Sequence, residues 1–185
     1  MLLTGWIVHV VCWLVWAYPF IFRAPHNQKR PSITAIAPTR VGLFLESLGI
    51  FLAFAAGVLT PAPPVDWRIL ASMGCGVIGA VLPWGAVRHL GRQFRVHAGL
   101  YEDHQLVTTG PYGIVRHPIY SSMLAMLAST LLLITPWQWA VFALALFIVG
   151  TEIRVYTEDR LLASRFGQSF FDYRKRVWAY VPFLR

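Results

Sequence analysis

The run VGLFLESLGIFLAFAAGVLT, Val41 to Thr60, decides the fold. It is about 20 residues long with one ionisable side chain, Glu46, and at about 1.5 Å rise per residue a helix of this length crosses a bilayer core of about 30 Å. Outward from it, Gly5 to Phe22 and Ile69 to Val87 form comparable runs, and Ile119 to Thr135 and Trp137 to Gly150 form two shorter ones. The 185 residues are 57% hydrophobic and 13% charged, whereas soluble domains carry about 25% charged residues. An ordinary water-soluble domain is excluded, and an integral membrane protein is predicted.

The last two runs, about 17 and 14 residues, make only ~21 to 26 Å of helix each, and Thr135-Pro136 leaves room for a tight turn. They predict a short helical hairpin, which helices enclosed by protein rather than lipid can afford. The fold class expected is therefore all-α integral membrane, with about five transmembrane helices. From Thr151 to Val177 the chain is basic, with Leu161, Leu162, Phe166, Phe170, Tyr173 and Val177 at helical intervals. This tail is expected to continue the last span, break near Gly167 and resume as an interfacial amphipathic helix. One domain results, residues 1–185: three N-terminal spans (1–87), a polar loop (88–118), the hairpin (119–150) and the C-terminal segment (151–185).

Lysine and arginine are retained on the cytoplasmic side of membrane proteins. Arg23, Lys29, Arg30 and Arg40 lie between spans one and two. Arg88, Arg92, Arg95 and Arg116 lie between three and four, and Arg154, Arg160, Arg165, Arg174, Lys175, Arg176 and Arg185 follow five; only Arg68 falls on the other side. The predicted orientation has the N-terminus outside and the C-terminus cytoplasmic. The first run has no preceding basic region and no small-residue cleavage site, so it reads as a retained anchor. The prolines of segments 24–38 and 60–64 stiffen two connections.

A net charge of +8, dispersed among membrane-proximal loops, fits contact with membrane lipid headgroups rather than nucleic acid. Cys12 and Cys75 lie within spans and have no ligand spacing, so no metal site is expected. The tryptophans read as interface anchors and His9 as a packed residue.

At the mouth of the hairpin stands Thr109-Gly110-Pro111-Tyr112-Gly113-Ile114-Val115-Arg116-His117-Pro118-Ile119-Tyr120. Pro118 suits the first position of a helix, where its missing amide costs nothing. His104, Tyr112, Arg116, His117 and Tyr120 concentrate function-capable groups before and at a helix N-terminus, which favours a carboxylate or phosphate. On the tail, Glu152, Arg154, Glu158 and Asp159 are the remaining candidates; Arg154 and Glu158 stand four apart and could pair across one helical turn, while Glu152 there and Glu46 in the second span are ionisable groups at or near membrane depth.

These blocks, with His104-Gln105-Leu106-Val107-Thr108 before them and Glu158-Asp159-Arg160-Leu161-Leu162, Arg165-Phe166-Gly167, Phe171-Asp172-Tyr173, Val177 and Pro182 after, resemble the isoprenylcysteine carboxyl methyltransferase family. Its superfamily holds phospholipid N-methyltransferases and thiol S-methyltransferases. The resemblance runs from about Arg92 to Pro182. It implies a helical bundle whose central loop and cytoplasmic C-terminal tail enclose S-adenosylmethionine.

By that resemblance His104, Leu106, Val107, Gly110, Pro111, Tyr112, Arg116, His117, Pro118, Tyr120, Glu158 and Tyr173 would surround the cofactor. Arg154 would orient the acceptor, and Glu158 would accept hydrogen bonds from the cofactor or a proton from an amine acceptor. The implied activity is methyl transfer to a lipophilic, membrane-embedded acceptor, foremost an isoprenylcysteine-like carboxylate. A phospholipid amine or a small thiol are alternatives, as are an NADPH-dependent sterol-type reductase and a non-enzymatic scaffold. Two positions depart from the family pattern: Asp159 stands where a second glutamate is common, and Ser122 where a glycine often follows.

Overall fold

The computed structural model describes residues 2–22, 33–34, 36–60, 66–91, 94, 99–100 and 105–184. Its helices are α1 (Leu2–Phe22), α2 (Ile36–Leu59), α3 (Asp66–Leu90), α4 (Pro118–Leu133), α5 (Trp137–Phe166) and α6 (Gln168–Arg176). The prolines at 25, 31, 61, 63 and 64, the basic residues Arg23, Lys29, Arg30, Arg92, Arg95 and Arg185, and His104 lie outside the described residues.

Helices α1, α2, α3 and α5 are long and apolar enough to cross a membrane, and the protein is an all-α integral membrane protein. Asp66 in the first turn of α3 and Arg88 and His89 in its last complement the helix dipole. The expected five spans resolve into these four and a shorter one. Helix α4 has 16 residues, and Tyr120, Ser122, Met126, Leu127, Ser129, Thr130, Leu131 and Leu133 on it are all buried. Protein rather than lipid surrounds it, so its length, about 24 Å, need not match the bilayer.

At its far end Arg68 Nη2 donates to the carbonyls of Leu131 and Thr135, both at 3.0 Å, satisfying acceptors that a helix C-terminus leaves open. Helix α5 is 30 residues, about 45 Å. It therefore carries its polar half, from Glu152 onward, past the end of a span that began at Trp137.

Three pairings build the bundle: α1 on α3, α3 on α4, and α2 on α5. The α2–α5 contact is a backbone approach. A Cβ on Gly150 would stand 2.5 Å from the Gly42 carbonyl oxygen and 2.8 Å from the Glu46 nitrogen. Between α1, α3 and α4 a polar seam runs beside the apolar cluster of Cys12, Ala80 and Met126. Trp13 donates to His9 Nε2 at 3.2 Å, which leaves Nδ1 to donate to Ser129 Oγ at 3.0 Å, and Ser72 donates to the Ser129 carbonyl at 2.8 Å. His9 is packed as expected. Trp13 and Trp16, read as interface anchors, instead hydrogen-bond inside the bundle; Trp16 donates to Ser122 Oγ at 3.1 Å.

Two other features were not foreseen. Helix α2 starts at Ile36, inside the segment read as a loop to Pro38, because proline is tolerated in a first helical turn. Ile33–Thr34 pairs antiparallel with Gly99–Leu100, Ile33 opposite Leu100, a contact too short to alter the fold class.

Candidate active site

The site is assembled where the segment before α4, the polar half of α5 and the residues after α6 meet. Gly110 opens a 3-10 turn through Gly113 with φ of +59°, a conformation open to glycine, and a Cβ there would overlap the His89 ring at the end of α3. The turn buries Tyr112, whose carbonyl accepts from the Tyr173 hydroxyl at 2.6 Å. Burial pushes both phenols above their ordinary range, so Tyr173 remains a donor and neither ring is a base near neutral pH.

The chain then runs parallel to the segment after α6. Val115 bridges Trp178, the Arg116 amide donates to the Trp178 carbonyl at 2.7 Å, and the His117 amide donates to the Ala179 carbonyl at 2.8 Å. Ser121 Oγ donates to the Tyr180 carbonyl at 2.6 Å. Tyr120, Val155, Ala179 and Tyr180 close an apolar cluster beneath.

From this edge a chain of charged groups runs inward to α2. Arg116 Nη2 meets Asp159 Oδ2 at 3.1 Å, and the other Asp159 oxygen meets His117 Nε2 at 2.9 Å. His117 Nδ1 lies 3.2 Å from Glu158 Oε2, and the Tyr120 hydroxyl donates to the other Glu158 oxygen. The Arg154 guanidinium lies 4.8 Å over the Tyr120 ring, within cation–π reach. It also donates through Nη1 to Glu46 Oε2 at 2.6 Å, while Thr151 donates to Glu46 Oε1 at 3.0 Å.

A carboxylate oxygen at each ring nitrogen requires both nitrogens to carry hydrogen, so His117 is an imidazolium. Burial opposes its charge, but the hydrogen bonds to Asp159 and Glu158 outweigh burial and raise its pKa above the usual histidine value. Three cations, Arg116, His117 and Arg154, thus face three carboxylates, Glu46, Glu158 and Asp159. The ionic groups balance one another.

Of the residues singled out in the sequence, Arg116, His117, Tyr120, Arg154 and Glu158 converge, with Pro118 starting α4 and Tyr173 bracing Gly110-Pro111-Tyr112 from α6. Leu106 and Val107 are half-buried in the stretch leading into the turn and take no part in the ion-pair chain. His104 lies outside the described residues. Arg154 pairs with Glu46, not across one turn with Glu158, and Glu152 accepts from the Tyr180 hydroxyl at 2.7 Å.

Two members were weighed in the sequence without being given a role. Asp159, a candidate on the tail and a departure from the family pattern, links Arg116 to His117. Glu46 is wholly buried, and its isolation in an apolar run was the available signal. Ser122 donates to the Ile119 carbonyl at 2.7 Å and accepts from Trp16, which makes it a helix-packing residue.

Buried ion pairs gathered where α2, α5 and the segment before α4 meet give this integral membrane protein a candidate active site. The sequence profile of the isoprenylcysteine carboxyl methyltransferase family matches residues 72–164. Protein-S-isoprenylcysteine O-methyltransferase B of Arabidopsis thaliana is 33% identical over 166 residues, 87% of this chain and 83% of that protein. Protein-S-isoprenylcysteine O-methyltransferase of Tribolium castaneum is 34% identical over 123 residues, 65% of this chain but 43% of its own length. The cobalt-zinc-cadmium resistance protein CzcN of Cupriavidus metallidurans is 37% identical over 82 residues, 44% of this chain and 37% of that protein. The chain belongs to the isoprenylcysteine carboxyl methyltransferase family. Membership in a membrane methyltransferase family favours an enzyme that transfers methyl groups over the sterol-type reductase and scaffold alternatives.

Proposed function

We propose that this protein transfers a methyl group from S-adenosylmethionine to the carboxylate of an isoprenylcysteine-like acceptor held in the membrane. The observation that carries the reading is the balanced ion-pair chain of Arg116, His117 and Arg154 with Glu46, Glu158 and Asp159, joined through Tyr120 and built largely from the two polar blocks that carry the family resemblance.

The residues present suit the cofactor. Its ammonium and hydroxyls need an acceptor, and the Glu158 side chain is 26% exposed where that of Asp159 is 7%. Glu158 is therefore the carboxylate a ligand would meet, while Asp159 fixes Arg116 and His117. Backbone from Leu106 to Tyr112 and the Tyr120 ring would line the remainder. When bound, S-adenosylmethionine supplies an electrophilic methyl on sulfonium.

The chain's own residues then position and shield. His117 and Tyr120 hold Glu158 in one orientation by a hydrogen bond to each oxygen. Arg154, fixed over Tyr120, would orient the acceptor carboxylate, which is already nucleophilic and needs no general base. Charge supports a carboxylate acceptor. The cofactor carries an ammonium, a sulfonium and a carboxylate, a net single positive charge, and a carboxylate acceptor restores the balance of the buried groups. A neutral amine with no anionic group of its own would leave one positive charge uncompensated in a poorly solvated site. A thiolate, or a phospholipid amine with its phosphodiester, would satisfy the same balance, and the printed names of the relatives favour the carboxylate.

We further propose that the N-terminus is outside and that the site and the C-terminal segment are cytoplasmic. Arg40, Arg88, Arg116, Arg160, Arg165, Arg174, Lys175 and Arg176 support this orientation, since they fall on segments at the site end, against Arg68 at the other. Binding of S-adenosylmethionine and S-adenosylhomocysteine to detergent-purified protein, read by calorimetry with NADPH as the control, tests the cofactor. Binding of the first two and its loss in Glu158→Ala and His117→Ala is the expected result. Labelled methyl transfer to an S-farnesylcysteine derivative with a free carboxyl, absent when the carboxyl is amidated, tests the acceptor. Transfer to the amidated compound would refute the carboxylate assignment.

A further inference from the structure

Arg116 has a second neighbourhood. Away from Asp159 it lines a cleft of about 200 Å³ with Arg174, Lys175, Arg176, Val177 and Trp178. Four of these six residues are cationic and none is acidic. Their anionic neighbours are few: Asp159 is paired with Arg116 at 3.1 Å and lies 4.0 Å from Arg174 Nε, and Lys175 Nζ is 3.6 Å from the half-exposed Asp172.

The carbonyls at the end of α6 do not oppose an anion there, because Arg116 Nη1 already donates to those of Val177 and Arg174. The guanidinium is not exhausted by these bonds. Its Nε is buried and has no hydrogen-bond partner among the described residues, and a buried donor in that state calls for an acceptor.

The rim of the cleft is apolar. Trp178 is 41% exposed, and Phe183, whose ring lies 5.9 Å from that of Trp178, is 85% exposed, with Leu184 beside it at 81%. Gly167 alone separates α6 from the membrane helix α5. A basic face beside exposed aromatic residues, joined this closely to a span, is the chemistry of a bilayer interface. A small soluble anion would satisfy the arginines and leave Trp178, Phe183 and Leu184 in water.

We propose that the cleft binds the phosphodiester headgroup of an anionic phospholipid from the adjoining leaflet, with Trp178 and Phe183 seated at its acyl boundary. Arg174, Lys175 and Arg176 supply the charge, and Arg116 forms the floor. Because Arg116 also holds Asp159, lipid occupancy at the cleft braces the outer end of the ion-pair chain. The inference stands apart from the methyltransferase reading, since it requires neither cofactor nor acceptor.

The test uses the full chain in phosphatidylcholine nanodiscs titrated with phosphatidylglycerol, with bound lipid counted by native mass spectrometry. Lys175→Gln/Arg176→Gln is compared with Arg160→Gln/Arg165→Gln, which removes two exposed charges from α5. One basic residue at an anionic surface is worth about fivefold in binding, so the cleft variant is expected to retain phosphatidylglycerol about tenfold or more less tightly while the α5 variant changes little. Equal loss in the two variants would overturn the proposal in favour of diffuse attraction. Displacement of the lipid by millimolar inorganic phosphate would assign the cleft to a soluble anion. Displacement by S-adenosylmethionine would make it part of the cofactor site, and either result overturns the lipid assignment.

Discussion

Removing Glu46 should destabilise the protein more than its position, within an apolar run, suggests. Its side chain is fully buried and that of Arg154 is 7% exposed, so solvent screens neither. Glu46→Ala leaves the Arg154 charge buried over the Tyr120 ring without its carboxylate, a loss of about 3–5 kcal/mol. For a chain of this size that lowers the melting temperature by about 6–20 °C.

Glu46→Gln keeps an oxygen for Arg154 or Thr151 and loses only the charge assistance, about 1–2 kcal/mol. The decisive variant removes both charges. Glu46→Leu/Arg154→Met should melt within about 1 kcal/mol of the parent, because apolar residues of similar volume replace a buried pair at little cost, yet it should lack methyl transfer. Tryptophan fluorescence during thermal unfolding in one detergent gives all four values. If Glu46→Ala melts within 2 °C of the parent, or the double variant is no more stable than the single, the pair is not what holds α2 to α5.

Two further outcomes follow from the geometry. The native pKa of His117 is raised, so the stability it contributes is complete below its unfolded value of about 6.5 and is lost as pH rises through the raised one. Melting temperature should therefore fall as pH rises above about 6.5, and His117→Gln should flatten that branch; an unchanged profile would contradict the imidazolium. Gly150→Val must push α2 from α5 and should cost about 1–3 kcal/mol or more, whereas Gly74→Ala, where an added Cβ meets nothing within 4 Å, should be neutral or gain up to about 1 kcal/mol; both are read from the same melts.

Hydrophobic length alone made the long spans legible, because a run such as Val41 to Thr60 has few structures open to it in a bilayer. Gly167 was legible as the break before α6, where it adopts φ of +51°. The pairing of α2 with α5 was not. It depends on Gly42 and Gly150 meeting backbone to backbone, and nothing in either local sequence names the other.

The candidate site divides the same way. Arg116, His117 and Glu158 could be singled out because they cluster in polar blocks. Glu46 and Arg154 are 108 residues apart, and the i,i+4 spacing of Arg154 and Glu158 pointed to a different pairing. Asp159 was a visible candidate without a visible role, because neighbouring residues on a helix usually diverge, whereas His117 is wide enough to take one carboxylate at each nitrogen.

The strand-like pairing of Val115–His117 with Trp178–Ala179 also sets an order of events during synthesis. Every membrane helix, and every charged group of the site, emerges from the ribosome before residues 178 and 179 do. The nascent protein can thus be inserted and largely packed while the amides of Arg116 and His117 still await their carbonyls. Competence arrives last, and a chain cut short before Trp178 would occupy the membrane without an ordered loop to grip its ligands.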